Sequence, residues 1–123
     1  MSTFYICATP IGNLDDISKR LIETLSNVDE IYAEDTRRAN KLLSHIGIKK
    51  SVRSYFLGNE NKKINEILES VKDGNSIALI SDAGTPGISD PGFLIGRTCL
   101  KNDIEIECLP GPTALIPGLL VSG

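Results

Sequence analysis

Short apolar runs alternate with amphipathic stretches along the whole chain. The runs are rich in β-branched residues and bounded by turn residues, which is typical of strands. In the last run Ile104, Ile106 and Cys108 alternate with Glu105 and Glu107, which favours an edge strand with one solvent face. The pattern therefore predicts five strands, at residues 4–8, 31–33, 52–56, 76–80 and 104–108.

Between the strands, apolar residues recur at helical spacing. Ala39, Leu42, Leu43 and Ile46 fall at i, i+3, i+4 and i+7, and Gly47 follows where a left-handed C-terminal residue belongs. Similar patterns predict helices over 17–28, 64–71 and 91–102, with a short helical segment after residue 113.

Polar residues and prolines predict how these helices begin. Asp15 or Asp16 would cap the first helix, and Asp90 followed by Pro91 is a suitable start for the fourth. Pro117-Gly118 is expected to disturb the last helix.

This alternation predicts the fold class. Strands alternating with helices form a parallel sheet with right-handed crossovers and helices on both faces, giving a three-layer α/β domain. The 123 residues suffice for one domain, over residues 1–123. The carboxyl ends of the strands then share one edge, where ligands bind in such sheets.

Charge and cysteine content narrow the classes of function. Thirteen Lys and Arg against 16 Asp and Glu give a net charge of -3. Any nucleic-acid contact must therefore come from a local group of basic residues or from outside this chain.

Cys7, Cys99 and Cys108 have no metal-ligand spacing, and their odd number argues against a disulfide framework. We expect reduced, buried thiols in a cytoplasmic protein. Because the chain enters a predicted strand almost at once, we expect no signal peptide, and its apolar residues 115–121 are too few to cross a membrane.

The loop at residues 81–92 organises the predicted site. It follows a buried strand and contains three glycines and two prolines, which give a stiff, shaped segment longer than an ordinary βα connection. Residues 9–13, 34–38 and 109–113 should meet it at the same edge. Neither the dinucleotide fingerprint nor the Walker A motif occurs, which favours a ligand such as a nucleoside joined to an amino acid.

Four motifs carry a resemblance to a known family: Ala-Thr-Pro-Ile-Gly-Asn-Leu at 8–14, Ala-Glu-Asp-Thr-Arg at 33–37, the loop at 81–92, and Pro-Gly-Pro-Thr-Ala-Leu at 110–115. In this order they resemble the N-terminal half of the ribosomal RNA small-subunit methyltransferase I family, within the tetrapyrrole methylases. The resemblance implies transfer of a methyl group from S-adenosyl-L-methionine to the 2'-hydroxyl of a cytidine in small-subunit ribosomal RNA. It also implies a cytoplasmic homodimer with two α/β domains in each subunit.

The resemblance further implies a cofactor site shared between the two domains. The second domain is absent from this chain, and we therefore expect the chain to be inactive alone. The residues implied to bind the cofactor belong to three of the four motifs and are Pro10, Asp82, Ala83, Gly84, Thr85, Pro86, Gly87, Thr113 and Ala114.

Proton removal from a ribose hydroxyl calls for a nearby base, and Glu34 and Asp35 are candidates because they follow a predicted strand. Arg37 and Arg38 could hold phosphates beside them. Alternatively, Asp35 or Thr36 caps the following helix, with the arginines in a solvated first turn. The chemistry needs no metal.

Two other functions stay open. A methylase of the same superfamily acting on a tetrapyrrole or another small molecule would share the fold. A non-enzymatic α/β binding module is the second alternative.

Overall fold

The computed structural model describes residues 2–56, 58–81, 84 and 92–123. Strands and helices alternate along these residues, with a 3-10 turn at Leu14–Asp16 before the first α-helix. In chain order the elements are β1 (Phe4–Cys7), α1 (Lys19–Asn27), β2 (Glu30–Ala33), α2 (Thr36–His45), β3 (Val52–Ser54), α3 (Glu60–Lys72), β4 (Ile77–Ile80), α4 (Phe93–Lys101), β5 (Ile106–Leu109) and α5 (Leu115–Val121).

The strands form one sheet in the order β3-β2-β4-β1-β5, and every neighbouring pair is parallel. All four residues of the central strand β4 are buried, as expected where both faces of a parallel strand are covered. The strand β5 lies at an edge as predicted, but its burial does not follow the alternating pattern, because Cys108 is exposed.

Helices cover both faces of the sheet. On one face, α1 and α2 pack with Ala78 and Ile80 of β4. On the other face, α3 and α4 pack with Ile77 and Leu79 of the same strand. Alternate residues of one strand thus enter opposite cores, and the predicted three-layer α/β fold is confirmed.

The topology places a crevice at the carboxyl edge beside β4. The helix that follows β4 lies on the face opposite to α1 and α2, which follow its two neighbours β1 and β2. Loops that leave adjacent strands towards opposite faces open a crevice between them, and ligands of open α/β sheets bind there.

The cap predicted for the first helix is wrong. Asp15 and Asp16 lie in the 3-10 turn, where the Asn13 side chain accepts a hydrogen bond from the Asp15 N–H at 2.9 Å. Extended backbone at Ile17 follows, so the cap position falls on Ser18, whose Oγ accepts from the Leu21 N–H at 3.0 Å. The extra turn moves the start of the helix beyond both aspartates.

The later helices also differ from prediction at their starts. Gly92 occupies the cap position of α4, and the predicted pair Asp90 and Pro91 lies outside the described residues. The helix α5 continues through Pro117 and is not disturbed there. Pro117 stands in the first turn, where a backbone N–H has no partner within the helix, so its missing donor costs little.

The three thiols do not share one environment. Cys7 and Cys99 are buried as predicted, whereas Cys108 is exposed, so the prediction for that residue is wrong. Cys108 belongs to the edge strand β5, which pairs with β1 alone among the described strands. Across the described ranges, no helix combines the length and the apolar character needed to span a membrane.

Candidate functional site

A short antiparallel bridge joins the loop after β1 to the segment after β4. The Thr9 N–H donates to the Gly84 carbonyl oxygen at 2.9 Å, and the Gly84 N–H donates to the Thr9 carbonyl oxygen at 3.0 Å. The Ser81 hydroxyl donates to the same Gly84 oxygen at 3.4 Å. These bonds hold the beginning of the organising loop against the end of β1.

The loop after β5 reaches the same place. Gly84 has a left-handed φ of +79°, and a Cβ built on it would lie 3.5 Å from Ile11 Cγ2 and 3.6 Å from the Pro112 carbonyl oxygen. A Cβ on Gly111 would lie only 2.8 Å from the Ala8 Cβ, so glycine allows the two backbones to approach closely. Three of the four predicted loops therefore meet at one edge of the sheet.

A cleft of about 540 Å³ opens between the loop after β1 and the helix α2. Pro10, Ile11 and Leu14 line it from the loop, and Arg38 and Lys41 line it from the helix. Ligand-binding clefts of proteins span roughly 300 to 1,000 Å³, so this cleft has room for a small molecule or a nucleotide.

The structure brings some predicted site residues together and separates others. Pro10 and Arg38 share the cleft, as a common site requires. Among the described residues, the cleft lining does not include six others that the sequence predicts for the site: Glu34, Asp35, Arg37, Gly84, Thr113 and Ala114.

Asp35 caps α2. Its Oδ1 accepts hydrogen bonds from the backbone N–H groups of Arg37 at 2.9 Å and Arg38 at 3.4 Å. Its second carboxylate oxygen, Oδ2, lies 4.0 Å from the Arg38 Nε. Of the two interpretations of Asp35, the contacts support the cap, because both oxygens already have partners on the helix.

Thr113 and Ala114 lead into α5. The Thr113 hydroxyl oxygen accepts from the Leu115 N–H at 3.4 Å, and Ala114 is the N-cap residue. Among the organising-loop residues predicted to bind the cofactor, the structure describes Gly84. The other residues predicted for the site from that loop, namely Asp82, Ala83, Thr85, Pro86 and Gly87, lie outside the described residues.

Lys41 is a charged residue of the cleft lining that neither the four motifs nor the predicted loops include. It follows Arg38 by three positions, and residues three apart on a helix lie on the same face. That spacing was readable in the sequence, but the sequence alone did not show which face of α2 borders the cleft. Ile11 and Leu14, the apolar part of the opposite wall, lie in the motif at 8–14, although the motif itself gives them no role at the site.

Cys7 ends β1 next to the loops of the site. Burial raises the pKa of its thiol to about 12, with smaller contributions from Cys108 and Glu107. A thiol with a pKa this high stays protonated at neutral pH, and only the thiolate is an effective nucleophile. Cys7 is thus a packing residue and not a candidate for covalent catalysis.

A parallel sheet between two layers of helices, with a cleft at the carboxyl ends of its strands, is the arrangement of α/β domains that bind ligands. The family model described as Tetrapyrrole (Corrin/Porphyrin) Methylases matches residues 3–123, and the chain belongs to this family.

Curated relatives match almost the whole chain. It is 53% identical over 119 residues to the ribosomal RNA small subunit methyltransferase I of Haemophilus influenzae, covering 97% of the chain and 42% of the relative. It is 47% identical over 123 residues to the protein of that name from Thermotoga maritima, covering 100% of the chain and 55% of the relative. The chain spans about half the length of the curated relatives that it matches.

Solved structures share the fold. Uroporphyrin-III-C-methyltransferase from Thermus thermophilus superposes with a TM-score of 0.72 at 13% identity, over 93% of this chain and 48% of that one. A diphthine synthase superposes with a TM-score of 0.70 at 16% identity, over 93% of this chain and 45% of that one. At these identities the likeness supports the fold alone.

Proposed function

We propose that this chain is the N-terminal half of an S-adenosyl-L-methionine-dependent enzyme that methylates the 2'-hydroxyl of a cytidine in small-subunit ribosomal RNA. The observation that carries the proposal is the 47% identity across all 123 residues to a relative named for ribosomal RNA methylation. The matched range spans all four motif loops as well as the core.

The cofactor site proposed for this half comprises Pro10, the organising loop around Gly84, and Thr113 with Ala114. Its support is the close packing of the three loops: a Cβ on Gly84 would contact both Ile11 and the Pro112 carbonyl. A site that presents backbone in this way suits a ligand recognised by main-chain groups. When bound, the cofactor supplies a methyl group already activated by its sulfonium.

The residues of the chain would position the substrate and remove its proton. Glu34 is the proposed base, because it follows β2 at the carboxyl edge of the sheet. Positioning of the reacting oxygen supplies most of the rate, and a base adds roughly a hundredfold or more. Arg37 and Arg38, in the first turn of α2, are proposed to hold RNA phosphates.

The remaining features of the proposal concern the whole protein. The matched relatives are about twice as long as this chain, which supports a second domain that completes the cofactor site. We propose a cytoplasmic homodimer that acts on the small ribosomal subunit or its RNA.

The test is methyl transfer by the full-length protein from labelled S-adenosyl-L-methionine to small ribosomal subunits. Nuclease digestion and mass spectrometry should find the label in 2'-O-methylcytidine. Uroporphyrinogen serves as the competing acceptor, because a tetrapyrrole methylase of this family would label it instead. Calorimetry should detect S-adenosyl-L-methionine binding by the full-length protein but not by residues 1–123 alone. Failure of the full-length protein to bind the cofactor would overturn the proposal and favour the binding module.

A further inference from the structure

We propose that the cleft between residues 9–14 and α2 receives a nucleotide of the RNA substrate, with Lys41 and Arg38 holding its phosphate. The inference rests on the proposed function and deepens it, because it adds the substrate to a cleft that Pro10, a proposed cofactor residue, also lines. It also assigns a binding role to Lys41, which none of the four motifs includes.

The positive charge of the α2 wall favours RNA over S-adenosyl-L-methionine as the ligand of the cleft. Arg38 and Lys41 place two cationic side chains on the α2 wall. S-adenosyl-L-methionine carries a sulfonium and an ammonium against a single carboxylate and is therefore a net cation. Like charges repel across a cleft, whereas a phosphodiester is an anion that both side chains attract. The α2 wall therefore selects the RNA.

The two walls together match the parts of a nucleotide. Across from the cations, Ile11 and Leu14 leave 39% and 37% of their surface exposed, which is enough apolar area to cover a base or ribose. Arg38 and Lys41 are both exposed and lie on one face of the helix, so both can reach the same phosphate. The volume of about 540 Å³ accommodates one nucleotide but not a folded RNA element.

The sheet order supports the same division. The loops after β4 and β5 meet the loop after β1 at Gly84, Gly111 and Pro112. The helix α2 follows β2, which lies on the other side of β4 from β1 and β5. The proposed cofactor loops therefore gather over three adjacent strands, and the basic wall stands beside them. The loop after β1 borders both the cleft and the proposed cofactor site, so a nucleotide against the α2 wall would be a neighbour of the cofactor.

The chain is acidic overall, so RNA binding by this domain depends on where its few cationic side chains lie. With a net charge of -3 the chain gives no general attraction for nucleic acid. RNA binding through this domain must then depend on individual basic side chains such as Arg38 and Lys41. Removal of one of these charges should measurably lower the RNA affinity.

The experiment compares Lys41→Gln with Lys72→Gln in the full-length protein. Lys72 ends α3, which packs on the opposite face of the sheet, and its substitution removes the same charge. RNA affinity is measured by fluorescence anisotropy with a small-subunit ribosomal RNA fragment at several salt concentrations. Cofactor affinity is measured by calorimetry with S-adenosyl-L-methionine.

Lys41→Gln should weaken RNA binding roughly tenfold, as expected for the loss of a charged hydrogen bond. It should also reduce the slope of log K against log salt by about 0.7, the value for one phosphate contact on a single strand. Cofactor affinity should stay within about twofold, and Lys72→Gln should match the unsubstituted protein.

Three results would overturn the inference while leaving the proposed function intact. They are an unchanged RNA affinity and salt slope in Lys41→Gln, an equal loss in Lys72→Gln, and a loss of cofactor affinity in place of RNA affinity. If the unsubstituted protein neither binds RNA nor transfers a methyl group to it, the proposed function fails and this inference fails with it.

Discussion

Thr9 and Gly84 exchange two backbone hydrogen bonds, at 2.9 and 3.0 Å, although 75 positions separate them in the chain. Gly84 provides this geometry with a left-handed φ of +79°. The pair fixes where the organising loop leaves β4 and sets it against the loop after β1. The candidate site thus depends on a backbone conformation that favours glycine.

Gly84→Ala should therefore affect the site beyond its cost in stability. Alanine at this φ costs about 1 kcal/mol of folding free energy. Its methyl group would also contact Ile11 and Pro112, between the loops proposed to hold the cofactor. We expect S-adenosyl-L-methionine affinity of the full-length protein to fall roughly tenfold. Calorimetry measures the affinity, and urea unfolding measures the stability.

Gly47→Ala is the matched control for backbone strain. Gly47 has a similar φ of +73°, and nothing lies within 4 Å of a Cβ built on it. The two variants should lose similar stability, but Gly47→Ala should keep normal cofactor affinity. Equal affinities in the two variants would show that the contacts at Gly84 play no part in binding.

Substitution of Glu34 and Asp35 should separate the base from the cap. Glu34→Gln should slow methyl transfer roughly a hundredfold or more with little change in stability, because the amide cannot accept the proton. Asp35→Asn should retain both stability and rate, since asparagine caps a helix about as well as aspartate. Single-turnover rates and thermal unfolding of the full-length protein provide the two readouts.

Asp35→Ala completes the comparison. It should cost about 1 kcal/mol of stability, because the N–H groups of Arg37 and Arg38 lose their acceptor. A large loss of rate in Asp35→Asn, with Glu34→Gln still active, would assign the base to Asp35 and contradict the division made here.

The fold was largely predictable from the sequence because its signals are local. The spacing of Ala39, Leu42 and Leu43 alone predicts which face of α2 is buried, and the structure buries all three. Alternation of strands and helices then leaves few topologies, since crossovers are right-handed. The wrongly predicted cap of α1 shows the limit of local signals. Asp15, Asp16 and Ser18 are all suitable cap residues, and only the 3-10 turn at Leu14–Asp16 places the helix start at Ser18.

The site was predictable only in part, because it depends on contacts between distant loops. The predicted loops at 9–13 and 34–38 include Pro10 and Arg38, which do share the cleft. They did not indicate Lys41, since its role depends on which face of α2 borders the loop after β1. The approach of Gly111 to Ala8 is likewise a tertiary contact without a local pattern.

Thiol labelling should distinguish the three cysteines of residues 1–123. Cys108 is exposed, whereas Cys7 and Cys99 are buried and burial raises the pKa values of both thiols. In the folded chain at neutral pH, a thiol reagent should modify one cysteine rapidly and the other two only on unfolding. Mass spectrometry locates the label, and Cys108→Ser should abolish the rapid phase. Rapid labelling of two or three cysteines would contradict the packing described here.

The stability of residues 1–123 should fall at alkaline pH, and Cys99 should contribute to the fall. Burial raises the pKa of its thiol from 9.0 to about 11. The unfolded chain therefore releases this proton first, so the contribution is complete below pH 9 and is lost as the pH rises towards 11. The loss assigned to this thiol is on the order of 2 kcal/mol. Cys99→Ala should be somewhat less stable at neutral pH and should decline less steeply, in urea unfolding measured across this range. An equally steep decline in the variant would show that Cys99 does not contribute.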